Sequence, residues 1–428
     1  METLLVVLVL VLLALVGAPL FSVIAAGSLY GFYIAEIDLQ VIAIELYRIA
    51  ETPLLMALPL FTFSGYILSE SNTSQRMLNL IQSLVGWIPG GLVIFAFIVS
   101  AIFTAFTGAS GVTIVALGAL LYPALKKAGY SDKFSLGMVT ASGSLGLLLA
   151  PSLPLILYGI IAQQMDLDVE FSINDLFLAG IMPAALMVIG LSIFSIVKNG
   201  QFHIKTKKYI ASDVYDAFWA MRWELPMPVL LIAGIYGGYF AISEAAALIA
   251  IYVLVVETFI YKEVTFENLR TIALDSMTMV GSILLILAVS LALTNVFVDA
   301  EIPTKLFELI KENVDSKITF LILLNLFLLF VGAVLDIFSA LVIIVPLILP
   351  VAISFGIHPV HLGIIFLANM QIGYLTPPVG INLFISSYRF NKPIAYIYKA
   401  SFPFMLVLLI VLVLITYIPV LSLFFISK

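Results

Sequence analysis

Four of the longest apolar runs in this chain are interrupted near their midpoints by glycine, proline or hydroxyl residues. The runs are residues 90–125, 134–162, 318–354 and 361–388. Their breaks are Thr107-Gly108-Ala109-Ser110-Gly111, Ala150-Pro151-Ser152-Leu153-Pro154, the segment from Gly332 to Asp336, and Thr376-Pro377-Pro378-Val379-Gly380. A break at the midpoint of a membrane helix leaves backbone N–H and C=O groups that lipid cannot satisfy, so it must be buried in protein or face water. The pattern predicts re-entrant hairpins and discontinuous helices rather than a bundle of plain spans.

The composition assigns the chain to the membrane proteins. Of its 428 residues, 63% are hydrophobic and 10% are charged, against about 45–50% and 25% in soluble domains. A soluble enzyme, a disordered protein and a nucleic-acid binder are therefore excluded, and we expect an all-α polytopic membrane protein. The sequence is apolar from Leu4 without a basic leader, so we expect a retained membrane segment. Residues 4–34 form either one helix or two that separate at Gly17-Ala18-Pro19.

The chain contains an internal repeat. Adding 227 to the residue number places four Gly or Pro residues on residues of the same type: Pro123 on Pro350, Gly129 on Gly356, Gly146 on Gly373 and Pro151 on Pro378. The same shift places the first break over Asp336 and brings the amphipathic segment 72–86 close to 303–314. We predict two repeats, each with an interfacial helix, a re-entrant helical hairpin and a discontinuous helix.

The basic residues predict the orientation of the repeats. Segments 70–90, 126–133, 198–222, 262–270 and 389–400 hold 14 of the 19 Lys and Arg residues, so we place these segments in the cytoplasm. The remaining five are Arg48, Lys305, Lys311, Lys317 and Lys428. The first hairpin then enters the membrane from the cytoplasm and the second from outside. The repeats are therefore inverted, as in many secondary transporters.

Each pair of breaks predicts a binding site. Backbone carbonyls and hydroxyls at a hairpin tip suit a hard cation such as sodium, and helix N-termini suit an anionic group. The predicted ligands of sodium site 1 are Gly108, Ser110, Thr113, Ser144, Gly146, Ala150 and Pro151, with Ser142 beside them. Those of sodium site 2 are Gly332, Asp336, Ser339, Gly373 and Thr376. The predicted substrate contacts are Ser110, Gly111, Asn369, Gln371, Pro377 and Pro378.

Asp336 is the most specific single signal, because an acid in so apolar a run indicates function by default. It could equally cap the helix that starts at Ile337, and both roles are compatible. His358 and His361 lack a third ligand, so we expect an interfacial turn and no metal other than sodium. The sequence shows neither a phosphate-binding glycine loop nor a set of catalytic side chains, so we expect no ATP hydrolysis and no enzyme activity.

At these residues the chain resembles the large membrane (permease) subunit of tripartite ATP-independent periplasmic (TRAP) transporters. The matching motifs run through nearly the whole chain: Pro59-Leu60-Phe61-Thr62-Phe63-Ser64-Gly65, Trp87-Ile88-Pro89-Gly90-Gly91, Gly108-Ala109-Ser110-Gly111, Ala150-Pro151-Ser152, Gly238 with Ser243-Glu244-Ala245-Ala246-Ala247, the segment from Gly356 to Gly363, and the segment from Ile372 to Gly380. Ala109 stands where the family often has a serine, and Ala150 where it often has a proline. Both departures fall at site 1.

The resemblance implies an elevator-type, sodium-coupled symporter for organic acids in the bacterial inner membrane. It also implies a small TRAP membrane subunit and a periplasmic substrate-binding protein as partners, and no cofactor besides the coupling ion. The predicted parts are scaffold helices (1–70), an arm helix (71–89), hairpin 1 with its broken helix (90–165), a scaffold helix with a basic loop (166–225), scaffold helices (226–300), a second arm helix (301–316), hairpin 2 with its broken helix (317–392) and a C-terminal scaffold helix (393–428).

Three alternatives differ in testable ways. An ion or solute channel would conduct without saturating. An uptake system for a sulfonate or another anion would share the fold and differ in substrate. An intramembrane enzyme would need clustered acids, a Ser/His pair or a metal set.

Overall fold

The computed structural model describes residues 2–16, 18–41, 43–44, 47, 52–88, 90–165, 169–199, 210–237, 239–314 and 316–426. Several residues singled out in the sequence lie outside these ranges: Gly17, Arg48, Pro89, Lys205, Lys207, Lys208, Gly238 and Lys428. Throughout the described ranges the regular structure is helical. This confirms the all-α prediction.

The first half of the chain contains these α-helices within its described ranges. They are α1 (Glu2–Leu15), α2 (Leu20–Ile34), α3 (Ala57–Glu70), α4 (Thr73–Val85), α5 (Gly91–Thr107), α6 (Ser110–Lys127), α7 (Asp132–Ser142), α8 (Leu153–Gln164) and α9 (Ile173–Asn199). The split of residues 4–34 into α1 and α2, with Pro19 directly before α2, decides between the two predicted arrangements.

The second half begins with a short helix that the sequence did not predict, and it ends with a single turn of helix. Its helices are α10 (Ala211–Ala220), α11 (Pro226–Tyr236), α12 (Ile242–Val255), α13 (Phe266–Asp299), α14 (Ile302–Asn313), α15 (Lys317–Val334), α16 (Ile337–Ser354), α17 (Pro359–Gly373), α18 (Ile381–Phe390), α19 (Ile394–Tyr417) and α20 (Val420–Leu423).

Seven helical segments of the described ranges are long and apolar enough to cross a membrane. They are Asp132–Gln164, Ile173–Lys198, Ile242–Ile260, Phe266–Asp299, Lys317–Val334, Ile337–Ser354 and Ile394–Tyr417. The prediction of a polytopic membrane protein is therefore confirmed.

The helix boundaries follow the predicted repeat. Shifted by 227, α6 (Ser110–Lys127) covers the same span as α16 (Ile337–Ser354), and α7 begins where α17 begins. The peptide bonds Ala150–Pro151 and Pro377–Pro378 are both cis, at positions that the same shift relates. The repeat therefore extends from the sequence to the three-dimensional structure.

The two hairpins are formed by α5 with α6 and by α15 with α16, and each turns at the residues predicted. At tip 1, Gly108 adopts a left-handed φ of 66°, which a glycine reaches without steric cost. At tip 2, Asp336 caps the N-terminus of α16 and no left-handed residue is needed. We call the tips with their facing breaks, 143–152 and 374–380, the tip–break units 1 and 2.

The repeats pack reciprocally. Helix α8 of the first repeat packs on α16 of the second, and α18 of the second packs on α6 of the first. Helices α9 and α19 also pack on the broken helices, and the contact of α19 with α7 is very close. A Cβ on Gly137 would lie 2.1 Å from the carbonyl oxygen of Ala400. This exchange of partners is what a two-fold relation between repeats requires.

The outer helices α2, α3, α12 and α13 form a second packed group, centred on the 34-residue helix α13. A hydrogen bond joins this group to hairpin 2: the Ser290 hydroxyl of α13 donates to the Val342 carbonyl oxygen at 2.8 Å. Pro346 lies four residues after Val342 and has no N–H, so that carbonyl lacks its helical donor. The bond from Ser290 replaces it.

The arm helix α4 is tied to the outer group by a buried ion cluster that we call the Arg76 cluster. The Arg76 guanidinium donates to Glu224, to Glu257 at 3.1 Å and to Glu263, and it lies 3.9 Å from the centre of the Tyr261 ring. Glu224 is 3% exposed and Glu257 is 0% exposed. Buried carboxylates need such partners, so the cluster fixes α4 to the segments that precede α11 and α13.

Candidate functional site

Tip–break unit 1 is assembled around the hydroxyl of Thr104, one turn before the tip. Thr104 Oγ1 donates to the Gly143 carbonyl oxygen at 2.9 Å and is 2.8 Å from Thr113 Oγ1. The end of α7 is therefore held against both helices of hairpin 1. Thr113 was predicted from the sequence and Thr104 was not, because a threonine in a membrane helix most often bonds its own backbone.

The predicted residues of site 1 lie at tip 1, in the first turn of α6 and in break 1. Ser110, Thr113 and Ser144 are 6%, 2% and 0% exposed, Gly108, Gly146 and Pro151 are buried, and Ala150 is partly buried. Ser142 is also buried, and its hydroxyl donates to Val139 O within its own helix. A buried set of hydroxyls and helix-end carbonyls has the chemistry that sodium requires.

Glycine is required at position 146 by a backbone contact. A Cβ on Gly146 would lie 2.0 Å from the carbonyl oxygen of Ala101 and 2.4 Å from the amide nitrogen of Ala105. Break 1 therefore presses directly on α5. The repeat equivalent behaves alike, since a Cβ on Gly373 would lie 2.5 Å from the carbonyl carbon of Gly332 on α15.

Tip–break unit 2 is built on Asp336. Its Oδ1 accepts hydrogen bonds from the amides of Phe338 and Ser339, both at 3.0 Å, and its Oδ2 accepts one from the Ser339 hydroxyl. The capping role that the sequence left open is therefore real. Ala109, the residue of repeat 1 at the equivalent position, makes no such bond. The sodium role of Asp336 stays a prediction.

Break 2 is fastened to hairpin 2 through the backbone. The amides of Val379 and Gly380 both donate to the Ala333 carbonyl oxygen at 3.1 Å. The Tyr374 hydroxyl accepts a bond from the Ile337 amide at 2.7 Å. Thr376 donates to Ile372 O at 3.1 Å within the turn before it, which leaves its hydroxyl oxygen able to accept or to bind a cation.

The predicted substrate residues fall into three environments. Ser110 and Gly111 start α6 beside break 1. Asn369 and Gln371 are 0% exposed, whereas Pro377 and Pro378 are exposed. The Asn369 amide nitrogen donates to Asn325 Oδ1 at 2.6 Å, on the side of α17 that faces α15.

Three buried amide oxygens in this region have no hydrogen-bond partner in the described part of the chain. They belong to Asn369, Gln371 and Asn382. A buried acceptor without a donor costs about 1–3 kcal/mol, so such groups mark places where a ligand can supply what the protein does not. Asn382 was missed in the sequence, where it follows a Pro-Pro-Val-Gly turn and looks like an ordinary helix start.

The two histidines have structural partners. His358 Nδ1 accepts a hydrogen bond from the Val360 amide at 3.2 Å and so caps α17. His361 Nδ1 is 2.6 Å from the Ser422 hydroxyl of α20. The pair therefore joins the start of α17 to its neighbours.

The Arg76 cluster is the largest group of charges that the sequence did not predict. Burial opposes ionisation of Glu263, but hydrogen bonds from the Asn72 amide and from Arg76 outweigh it and lower the pKa of that carboxyl. Burial likewise opposes the charge on Arg76, yet Glu224 and the other two carboxylates raise the pKa of the guanidinium above its usual value. The four residues are spread over 188 positions, so spacing gave no signal.

Paired hairpins, paired broken helices and two tip–break units define a multi-pass membrane protein of the kind in which secondary transporters build their binding sites. Comparison with known proteins identifies the family. Residues 4–421 match the family described as the DctM component of tripartite ATP-independent periplasmic transporters. The chain belongs to this family and is a TRAP large permease component, which confirms the resemblance seen in the sequence.

Several curated relatives are similar over nearly the whole chain. The C4-dicarboxylate TRAP transporter large permease protein DctM of Rhodobacter capsulatus is 32% identical over 424 residues, covering 97% of this chain and 96% of that one. The isethionate TRAP transporter permease protein DctMQ of Oleidesulfovibrio alaskensis is 32% identical over 416 residues, which are 95% of this chain. This chain spans 62% of the length of DctMQ.

A solved structure shares the fold. The Alcanivorax borkumensis YdaH transporter aligns with a TM-score of 0.64 over 88% of this chain and 86% of that one, at 16% sequence identity. The likeness supports the architecture alone.

Proposed function

We propose that this chain carries out sodium-coupled uptake of a small organic anion across the bacterial inner membrane. A periplasmic binding protein delivers the anion, and a small TRAP membrane subunit completes the membrane complex. The observation that carries the proposal is the pair of tip–break units, in which helix ends and hydroxyls lie in mostly buried positions beside one partly buried carboxylate, Asp336. Membership of the TRAP family supports the two partners and the location.

The proposed order of events follows from the chemistry of the units. Sodium binds first, to carbonyl and hydroxyl oxygens of Gly108, Ser110 and Thr113 in unit 1 and to the carbonyl oxygen of Gly332 and the carboxylate of Asp336 in unit 2. Each ion fixes the backbone of a tip. The anion then binds between the ordered helix N-termini, whose positive ends favour its charge. Prior binding of sodium therefore strengthens substrate binding, and the reverse holds equally.

The driving force is adequate for accumulation. A sodium ion that moves down a 100 mV potential and a tenfold concentration gradient releases about 3.7 kcal/mol. That is enough to concentrate a neutral solute roughly 500-fold per ion. Two ions offset the extra cost of moving an anion against the same potential.

The moving body in this proposal consists of the hairpins, the broken helices and also α9 and α19. The sequence assigned α9 and α19 to the scaffold. Their packing favours the moving body, since backbone contacts such as Gly137 against Ala400 and Gly180 against Leu148 leave no room for sliding. The outer group around α13, with α4 held to it by the Arg76 cluster, is the proposed scaffold.

Sodium titration of Asp336 variants tests the role of unit 2. Asp336→Asn removes the charge and keeps an oxygen that can cap α16, so we expect apparent sodium affinity in uptake to fall at least about tenfold with little loss of stability. Asp336→Ala also loses the cap, at about 1 kcal/mol of stability. Ser131→Ala is the matched control, because it removes a hydroxyl cap, on the Phe134 amide at 3.2 Å, that lies outside the units. An unchanged sodium dependence in both Asp336 variants would contradict the role.

The second candidate is uptake of a sulfonate. It is favoured by the isethionate permease, whose identity to this chain equals that of the C4-dicarboxylate permease from Rhodobacter capsulatus. Thermal-shift screening of the partner binding protein with carboxylates and sulfonates separates the two. Selective stabilisation by a sulfonate would replace carboxylate as the substrate class and leave the sodium coupling in place.

A further inference from the structure

Asn382, two residues after break 2, carries hydrogen bonds from α18 into break 1 and the helix before it. It is the second residue of α18 and is 0% exposed. Its Nδ2 lies 3.4 Å from the Thr140 carbonyl oxygen and 3.4 Å from Ser144 Oγ, and it donates to both. Both acceptors belong to repeat 1, at the end of α7 and in the break that follows.

The backbone near Asn382 is fixed to the tip of hairpin 2. Gly380, two residues earlier, adopts a left-handed φ of 58° and donates its amide to Ala333 O at 3.1 Å. A movement of tip 2 therefore moves the start of α18. Asn382 is placed where it transmits that movement.

The acceptors of Asn382 lead on to the tip of hairpin 1. Ser144 adjoins Gly143, whose carbonyl oxygen accepts the hydrogen bond from Thr104. Ser144 Oγ also lies 3.5 Å from the carbonyl oxygen of Gln371, its repeat equivalent in the last turn of α17, so the two repeats meet here at the axis that relates them. A continuous set of contacts thus joins Ala333 at tip 2 to Thr104 at tip 1.

The amide of Asn382 is incompletely paired. Its Oδ1 has no partner among the described residues, and its two donated bonds are long. The two long hydrogen bonds from Asn382 Nδ2 can shorten when α7 and break 1 move closer to α18. The unpaired Asn382 Oδ1 can accept a hydrogen bond or bind a cation.

We propose that Asn382 is a positioning residue that couples the two tip–break units, so that occupation of one unit strengthens binding at the other. This inference rests on the proposed function. It names the residue through which sodium binding at one unit affects sodium binding at the other. A coupling role of this kind is measured as a change in the cooperativity of sodium binding.

The test compares Asn382→Ala and Asn382→Asp with Ser386→Ala in the complex reconstituted with its small subunit and binding protein. Asp keeps the shape but cannot donate to Thr140 O. Ser386 is the matched control: it lies one turn further along α18, is 0% exposed, and bonds Thr140 across the repeats through the side chain, at 2.9 Å. The readouts are the Hill coefficient and half-saturating concentration for sodium in uptake.

We expect both Asn382 variants to lower the Hill coefficient toward one and to raise the half-saturating sodium concentration at least about fivefold, the lower end of usual coupling factors. Maximal uptake at saturating sodium should change less than threefold. Ser386→Ala should leave the Hill coefficient at the wild-type value. Equal effects in Ser386→Ala, or a wild-type Hill coefficient in both Asn382 variants, would overturn the proposal.

A second readout keeps the test valid where a variant transports poorly. Sodium-dependent thermal stabilisation of the purified variant, titrated in detergent, reports binding without transport. The stabilisation curve should become shallower and shift to higher sodium. If the wild-type complex shows no sodium dependence, the proposed function fails. If the wild-type complex depends on sodium and the Asn382 variants show the same sodium dependence, only the coupling role of Asn382 fails.

Discussion

Adding one methyl group at Gly146 or Gly373 tests the close packing of the breaks on the hairpins. Ordinary carbon contacts begin near 3.4 Å, and a Cβ at Gly146 would lie 2.0 Å from Ala101 O. Helix α5 would therefore have to move by roughly 1.4 Å. At Gly373 the nearest atom lies at 2.5 Å, which asks for a movement of about 0.9 Å. In both cases the obstructing atoms are backbone, which cannot rotate away as a flexible side chain can.

Overpacking of this kind costs about 1–3 kcal/mol, and more where backbone must move. We expect Gly146→Ala to lose about 3 kcal/mol and Gly373→Ala about 1–2 kcal/mol. Gly281→Ala is the matched control, because Gly281 lies in helix α13 with no atom within 4 Å of its added Cβ. It should stay within about 0.5 kcal/mol of wild type.

The assay is thermal unfolding of the detergent-purified proteins, followed by intrinsic tryptophan fluorescence, together with sodium-dependent uptake. The expected order of unfolding midpoints is Gly281→Ala above Gly373→Ala above Gly146→Ala, with uptake lost in the last two. A Gly146→Ala protein as stable and active as Gly281→Ala would refute the close approach of break 1 to α5.

Two further predictions concern the scaffold. Arg76→Met leaves buried carboxylates unpaired, so it should destabilise the protein by about 3–5 kcal/mol. Lys126→Met breaks a solvent-exposed ion pair, with Asp132, and should leave the unfolding midpoint close to that of wild type. Equal unfolding midpoints in the two variants would contradict the structural weight given to the Arg76 cluster. Ser290→Ala removes the bond to Val342 O and should lower stability by about 0.6–1.7 kcal/mol, shifting the balance of transport states about 3- to 20-fold. The chain has no native cysteine, so the labelling rate of a single introduced cysteine reports that balance. If the cysteine is labelled at the same rate with and without Ser290→Ala, the bond from Ser290 to Val342 does not favour the conformation described here over the other transport states.

The architecture was readable because its signals are local. Gly108 and Pro151 interrupt long apolar runs of repeat 1, and an offset of 227 places them at the breaks of repeat 2, beside Asp336 and on Pro378. The composition indicates a membrane protein, and glycine and proline residues indicate where a membrane helix is interrupted. These two inputs predicted the hairpins and the broken helices.

The sites were only partly readable because their polar groups meet across the chain. Thr104 looked like a threonine bonded to its own helix, and that bond exists, to Ser100 O at 2.6 Å. Its second bond, to Gly143 O, depends on a fold that spacing does not reveal. Asn382 was missed for the same reason, since its acceptors lie 242 and 238 residues away.

Charge pairing was the least readable feature. Arg76 was counted in the sequence as one of many cytoplasmic basic residues, a statistical role. In the structure it pairs with three carboxylates from distant segments, the nearest of which in sequence, Glu224, lies 148 residues away. Nothing in the periodicity of α4 distinguishes this arginine from a solvated one.

The central claim is that a sodium gradient drives uptake. Its most direct test is accumulation of the anion that the binding protein selects, in proteoliposomes that hold this chain and its small subunit. The account predicts concentrative uptake with an inward sodium gradient and its collapse when potassium replaces sodium or a sodium ionophore is added. Equal accumulation in the absence of sodium would contradict it.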